Sequence, residues 1–338
     1  MSYDFSRLRM LLADDSPQMR AIIKTILLGV GVKNIIEAAD GVTAIQKLKH
    51  NPVDIALIDW IMPGYSGIEV VRYVRRDGDS PNPYLPIIMV TGFSEKQRVM
   101  EARDAGATEF LTKPITAKGL ISRILEVVER PRPFIRTKTY FGPCRRRRKL
   151  AEWAGIERRG TGVAAADVPA TAAATESSPP KDCTKCEIIE PASLLGTQVT
   201  GSGGIDPAAI TRAESTVAAL KGEFEAAAQR QLNTLIDAFA RLGPGAATDE
   251  NLKTVYRIAH EIKGQGGTFG YTLLSRLADI LCRYIRTVEN VDTRAIAIMQ
   301  AMVDAITTVI SQRLEGDGGE VGREILRGLH QLTGDFDA

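Results

Sequence analysis

The chain has 338 residues, enough for two domains and a connecting stretch, and its 43 basic and 41 acidic residues leave a net charge of +2. That balance excludes a chain-wide nucleic-acid surface, and four scattered cysteines, Cys144, Cys183, Cys186 and Cys282, exclude a disulfide framework. No apolar run approaches membrane-spanning length, and Met1 to Arg9 carries Asp4 without a long apolar core, so a cytoplasmic protein is expected.

In chain order, Arg9 to Ala13 reads as a short strand running into Asp14-Asp15. Ser16 suits a helix cap and Pro17 its first turn, and the helix to about Leu28 carries Met19, Ile22, Ile23, Ile26 and Leu27 on one face. Asn34 to Ala38 is a second strand, and Gly41 to His50 a helix with Ala44, Ile45 and Leu48 inward. Val53 to Trp60 is apolar except at Asp54 and Asp59, the pattern of a strand buried on both faces. Met62-Pro63-Gly64 cannot extend a ladder, so the strand ends at Asp59. A helix from about Ser66 to Arg76 and a proline-broken loop, 77–86, follow. Ile87 to Val90 is a wholly apolar strand ending in Thr91-Gly92, Glu95 to Ala105 a helix stopped by Gly106, and Thr108 to Leu111 a strand ending in Lys113-Pro114. Ala117 to Glu129 closes the unit as a helix.

Five strands, each followed by a helix, predict a doubly wound parallel α/β sheet. Such a sheet gathers its chemistry at the carboxyl edge, here Asp14, Asp15, Asp59, Thr91 and Lys113. Three clustered carboxylates repel one another, and a hard divalent cation such as Mg2+ relieves the repulsion and bridges to a phosphoryl group. Asp59 then suits a nucleophile forming an acyl phosphate, Lys113 a cation for a phosphoryl oxygen and Thr91 a hydroxyl donor.

Residues 7–130 resemble a response-regulator receiver domain. The resemblance rests on the pair Asp14-Asp15, on DWIMPGYSG from Asp59, on VTG from Val90 and on AGATEFLTKP from Ala105 to Pro114. It implies a flavodoxin-like fold, with Asp59 as phosphoacceptor and Asp14 and Asp15 as acidic metal-site residues. It further implies a Trp60 backbone carbonyl on the metal, Thr91 as switch, Lys113 as phosphate sensor, a cis Lys113–Pro114 bond and Phe110 at an aromatic switch position.

From Pro131 to about residue 205 the pattern dissolves. Arg136, Lys138 and the run Arg145 to Lys149 lack any acid, and Ala164 to Pro180 is rich in Ala, Thr, Ser and Pro, so this stretch reads as a disordered tether. Cys183 and Cys186 form a CxxC with no second pair at metal spacing, which leaves it as part of the tether.

From Asp206 the chain reads as helical. One helix, bent at Gly222, is expected to about Leu242, with further helices after Thr248 or Asp249, from Tyr271 to Arg286 and from Asp292 to Leu314. Together they predict an antiparallel four-helix bundle over 206–315, followed by a tail, 316–338, with an amphipathic stretch through Ile325, Leu326 and Leu329. His260 lies roughly 120° from the middle of the apolar stripe Leu252, Val255, Ala259 and Ile262, so it is expected to face outward. Glycines 264, 266 and 267 each weaken a helix by about 1 kcal/mol and ask for a reason, such as room for a partner surface beside the imidazole. A neutral imidazole is a nucleophile, and Lys263 is placed to stabilise an incoming phosphoryl group.

The segment AHEIKGQGGTFG resembles the signature of histidine phosphotransfer domains, through His260, Lys263, Gly264, Phe269 and Gly270. It implies a bundle that carries phosphohistidine without an ATP site. The expectation is a two-component phosphorelay protein, a signal transducer rather than an enzyme, partnered by a sensor histidine kinase and other receiver or phosphotransfer proteins. Two alternatives stand beside it. The bundle is an unphosphorylated interaction or phosphatase module in which Glu261 or Gln265 positions a water, or Arg145 to Lys149 binds DNA.

Overall fold

The computed structural model describes residues 3–92, 96–145, 187–190, 195–201, 206–243, 245–246 and 250–333. Its first unit alternates β1 (Arg9–Ala13), α1 (Pro17–Gly29), β2 (Asn34–Ala38), α2 (Gly41–His50), β3 (Ile55–Asp59), α3 (Gly67–Arg76), β4 (Ile87–Thr91), α4 (Lys96–Ala105), β5 (Glu109–Thr112) and α5 (Ala117–Glu129). All neighbouring strands are parallel, in the order β2-β1-β3-β4-β5.

Alternation along the strands divides the core in two. Met10, Leu12, Ile55, Leu57, Ile88 and Val90 join α1 and α5 on one face. On the other, Leu11, Ala13, Ala56, Ile58, Ile87 and Met89 join α2, α3 and α4. Asp54, which interrupts the apolar run ahead of β3, accepts from Arg9 Nη2 at 2.8 Å, Arg9 Nε at 3.0 Å and the Arg9 backbone at 2.9 Å. This pins the start of β1 beside the start of β3. Side-chain caps start α1 at Ser16, α2 at Asp40, α3 at Ser66 and α5 at Thr116.

The stretch after α5, expected to be tether, begins with structure. β6 (Phe134–Arg136) pairs antiparallel with β7 (Phe141–Pro143) and with β8 (Glu187–Ile189). Phe134, Phe141 and Tyr84 form an aromatic cluster with ring centroids 5.1 to 5.7 Å apart. The Arg75 guanidinium lies 5.2 Å over the Phe134 ring and donates to the carbonyls of Gly106 (2.9 Å) and Pro83 (2.8 Å). Burial pushes its pKa down to about 9. Of the basic run, Arg145 stacks 4.3 Å from the Tyr140 ring and pairs with Asp104 at 3.3 Å. The rest of that run, with Cys183 and Cys186, lies outside the described residues.

A single turn, α6 (Leu195–Gln198), leads to α7 (Pro207–Ala219) and α8 (Lys221–Ala240). The one long helix expected from Asp206 is thus two, parted at Leu220 rather than bent at Gly222. The reason is tertiary, because α7 packs against α1 and α5 of the sheet unit while α8 belongs to the bundle. The bundle is completed by α9 (Glu250–Thr268), α10 (Thr272–Thr287) and α11 (Thr293–Ser311), with short strands β9 (Gly245–Ala246) and β10 (Asn290–Val291) pairing at one end. Helix neighbours run α8-α9-α10-α11 and back to α8, a closed square, and α12 (Gly319–Thr333) lies on α11. By length and composition α11 has the character of a membrane span, with a mean hydropathy of 1.3, unlike the expectation from the sequence. Its Ile298, Met299, Met302, Val303, Ile306 and Val309 are buried in the bundle core.

Because Arg75 is buried and bonded to carbonyls, removing it strands those acceptors. Arg75→Ala is expected to cost about 2–4 kcal/mol, read as a lowered denaturation midpoint of the full chain.

Candidate functional site

Three strand ends build the acidic half of the site. Beyond β1, Asp14 Oδ1 accepts from Ser16 N at 2.9 Å, while Ser16 Oγ caps α1 by accepting from Met19 N at 3.2 Å. Asp59 ends β3, where Gly67 at the start of α3 comes so close that a Cβ on it would lie 2.1 Å from the Asp59 carbonyl oxygen. After β5, Lys113 N donates to Thr91 O at 2.8 Å, and the Lys113–Pro114 bond is cis. The Lys113 ammonium sits 3.2 Å from Asp14 Oδ2 and 3.0 Å from Asp59 Oδ1.

All three carboxylates converge, and one oxygen from each of Asp14, Asp15 and Asp59 lies within 4.8 Å of the others. One hard cation can reach such a set directly or through its waters, so the donors fit Mg2+. The Trp60 carbonyl, just beyond the end of β3, accepts from Gly67 N at 3.0 Å. Thr91 is buried at the end of β4, and Phe110 is half-buried against the α2–α4 side of the core.

Burial pushes the Asp59 carboxyl up to about 7; Lys113 pulls the other way, and Asp14 and Asp15 add to the rise. Burial and the neighbouring Asp14 raise Asp15, against Lys113 and Arg257. For Lys113, burial opposes the charge, yet Asp14 and Asp59 together hold its pKa above the ordinary value.

The opposite wall comes from α9. His260 was expected to face outward; it does turn away from the bundle core, but it is only 5% exposed because the sheet unit covers it. A Cβ on Gly92 would lie 2.7 Å from His260 Nε2. A small pocket of about 10 Å³ is walled by Asp15, Asp59 and Lys113 on one side and by Arg257, His260 and Glu261 on the other. Burial and Asp15 raise the Glu261 carboxyl, against Arg257, whose Nη1 lies 3.1 Å from Glu261 Oε1.

Lys263 is not among the residues walling this pocket; its ammonium pairs with Asp279 on α10 at 2.6 Å. Arg257, one turn before Glu261, is the cation the bundle brings there instead. The sequence reading passed over Arg257, as well as Ser16 and Thr268 as contact residues. A signal was present, because Arg257, Gly264 and Thr268 recur at three- and four-residue steps around His260 and so share its face. The other two histidines, His50 and His330, lie exposed and away from the pocket.

A family model described as the response regulator receiver domain matches residues 10–125, and one described as the Hpt domain matches residues 219–312. Chemotaxis protein CheY-3 of Vibrio cholerae is 35% identical over 123 residues, which span 36% of this chain and 93% of that protein. Chemotaxis protein CheY of Pseudomonas aeruginosa is 38% identical over 123 residues, 36% of this chain and 98% of that protein. The solved structure of the chemotaxis response regulator CheY4 of Vibrio cholerae is 29% identical over 36% of this chain and 98% of that one, with a TM-score of 0.33. With the sheet's carboxylate edge, the two family models and the two curated relatives lead to one conclusion: the chain belongs to the response-regulator receiver family and, with an Hpt domain behind its receiver, is a two-component phosphorelay signalling protein.

Proposed function

We propose that the chain carries phosphoryl groups at two positions, on Asp59 as an acyl phosphate and on His260 as a phosphohistidine. The observation that carries this reading is the pocket itself, where a carboxylate and an imidazole face one cavity beside a buried lysine. In this reading Asp14, Asp15, Asp59 and the Trp60 carbonyl hold Mg2+. When bound, the cation neutralises phosphoryl oxygens and lowers the cost of bringing an anion to an acidic pocket.

The chain's own residues do the rest. Lys113, now paired with Asp14 and Asp59, offers a compact positive charge to a phosphoryl oxygen. Thr91, whose carbonyl already holds the Lys113 backbone, donates its hydroxyl to a second oxygen and reports the change to β4 and, with Phe110, to the surface around α4. Arg257 is the bundle-side cation for the same group, and Lys263, held by Asp279, braces α9 against α10. The receiver comprises residues 1–130 and the phosphotransfer bundle 206–315. The chain acts as a carrier rather than an enzyme, in the cytoplasm, and exchanges phosphate with a sensor histidine kinase and other relay proteins.

Labelling with radioactive phosphoramidate and Mg2+ tests the two positions. Wild type is expected to take up both a base-labile and an acid-labile, base-stable label. Asp59→Asn loses the first, and His260→Gln loses the second. Free phosphate released by a bundle that never takes label would favour the phosphatase alternative.

Metal affinity should follow the Asp59 titration. Its carboxyl is raised to about 7, so below that pH it is protonated and a poor ligand. Calorimetric titration of the full chain is expected to show Mg2+ binding level above about pH 7 and weakening below it, by up to ~tenfold per unit.

A further inference from the structure

We propose that Asp59 and His260 of one chain are an intramolecular transfer pair: the bundle is clasped onto its own receiver, and outside proteins reach either residue only when the clasp opens. This rests on the carrier reading above and adds the identity of the partner, which is the same chain.

The first argument is the fit of the two surfaces. Glycines 264 and 267, which had no explanation within an isolated helix, meet the receiver. A Cβ at Gly264 would lie 3.0 Å from Lys113 Cδ, and one at Gly267 would lie 2.9 Å from Pro114 Cβ. Gly92 on the receiver makes the reciprocal room, for His260. Of the three α9 glycines, only Gly266 turns inward, toward Tyr271, Leu274 and Ser275. Two hydrogen bonds cross the seam beside the pocket. Gln265 Nε2 donates to Ser16 Oγ at 3.0 Å with both groups buried, and Ile115 N donates to Thr268 Oγ1 at 3.2 Å.

The second argument is an attachment away from the pocket. Ala213 on α7 is fully buried against Gly29 at the end of α1, where a Cβ on the glycine would lie 2.8 Å from the Ala213 Cβ. Asp4 N donates to Thr200 O at 2.8 Å, tying the segment before α7 to the receiver's N-terminus. One apolar core runs without a break from the α1 and α5 side of the receiver into the bundle. The bundle is therefore held at two separate places, and only one of them involves the reacting groups.

The third argument is occlusion. Asp59 is 2% and His260 5% exposed, and the space between the two walls, about 10 Å³, suits a single water. No second protein can reach either group in this state. A phosphoryl group exceeds one water, so loading either residue widens the pocket while α7 keeps the bundle attached. In the transfer itself, the N–P bond to His260 breaks as an Asp59 carboxylate oxygen forms the new O–P bond. The electron pair of the broken bond stays on the imidazole nitrogen. A phosphoimidazole protonated on its other nitrogen thus leaves as neutral imidazole, and the acyl phosphate forms without any further reactant. The reverse step runs through the same atoms. Tethering makes the step first-order, with an effective concentration on the order of millimolar.

The test uses full-length chains. Wild type is loaded on His260 with radioactive phosphoramidate in a chelator, then given Mg2+, and conversion of base-stable to base-labile label is followed. The expected rate is unchanged between 0.1 and 10 µM chain. In the paired experiment, His260-labelled Asp59→Asn is mixed with unlabelled His260→Gln at 1 µM. Transfer there should be slower by about 1,000-fold, the ratio of a millimolar effective concentration to the micromolar one used. Ala213→Arg, and independently Gly29→Leu, should slow wild-type transfer and make it concentration-dependent, while Asp59 and His260 still load from the small donor. Transfer in the mixture as fast as in wild type, or a wild-type rate proportional to concentration, overturns the proposal. Failure of the carrier reading looks different, because a single variant would then take no label on its remaining residue.

Discussion

Three carboxylates at the end of a parallel sheet cannot stand together in a buried place without a positive charge among them. Lys113 supplies it here, bridging Asp14 and Asp59 with its side chain 6% exposed. Much of the receiver serves that arrangement. The Arg9–Asp54 pair sets β1 against β3 at their starts, so that Asp14 and Asp59 emerge together at their ends. Gly67 lets α3 begin directly on the Asp59 backbone, and the hydrogen bond from Lys113 N to Thr91 O sets the lysine beside β4. Lysine pairing holds the carboxylates in place, but burial still dominates the Asp59 carboxyl. Such a group favours proton, cation or phosphoryl partners over bare charge.

The same economy of side chains appears across the seam with the bundle. Helical glycine is unfavourable, and α9 places three in four residues. Two of them let the helix approach Lys113 and Pro114, and the third lets α10 pack closely. His260 is held between Gly92 and the Tyr256 ring, 6.2 Å away and nearly parallel. Four carboxylates, from Asp14, Asp15, Asp59 and Glu261, meet two cationic side chains, Lys113 and Arg257. The acidic site and the imidazole are thus parts of one electrostatic unit rather than two separate centres.

The receiver was legible almost residue by residue. Its central strands are short with apolar middles, and side-chain caps start α1, α2, α3 and α5, so period and punctuation agree. Each chemical residue also sits at the end of a strand or just beyond it, where topology alone decides its neighbours. The bundle was legible as four helices, but its first helix was drawn too long, because nothing local at Leu220 says that α7 leaves the bundle to lie on α1. The strands at 134–136 and 141–143 were hidden for a related reason. Three-residue segments carry too little periodicity to read, and their apolar groups, Phe134 and Phe141, pack on Tyr84 and Arg75 from elsewhere in the chain.

What the sequence determined alone is therefore the chemistry: an acidic sheet edge with Asp59 and Lys113, and an imidazole on a helix face cleared by glycine. Helical angle is local, so the direction in which His260 points relative to its own bundle followed from spacing. What covers that face did not follow, because burial belongs to pairs of surfaces, and those surfaces come from segments far apart in the chain. Only the tertiary structure decided that the imidazole is buried, that Lys263 turns to Asp279 while Arg257 takes the pocket, and that the surface opposite His260 is the chain's own receiver.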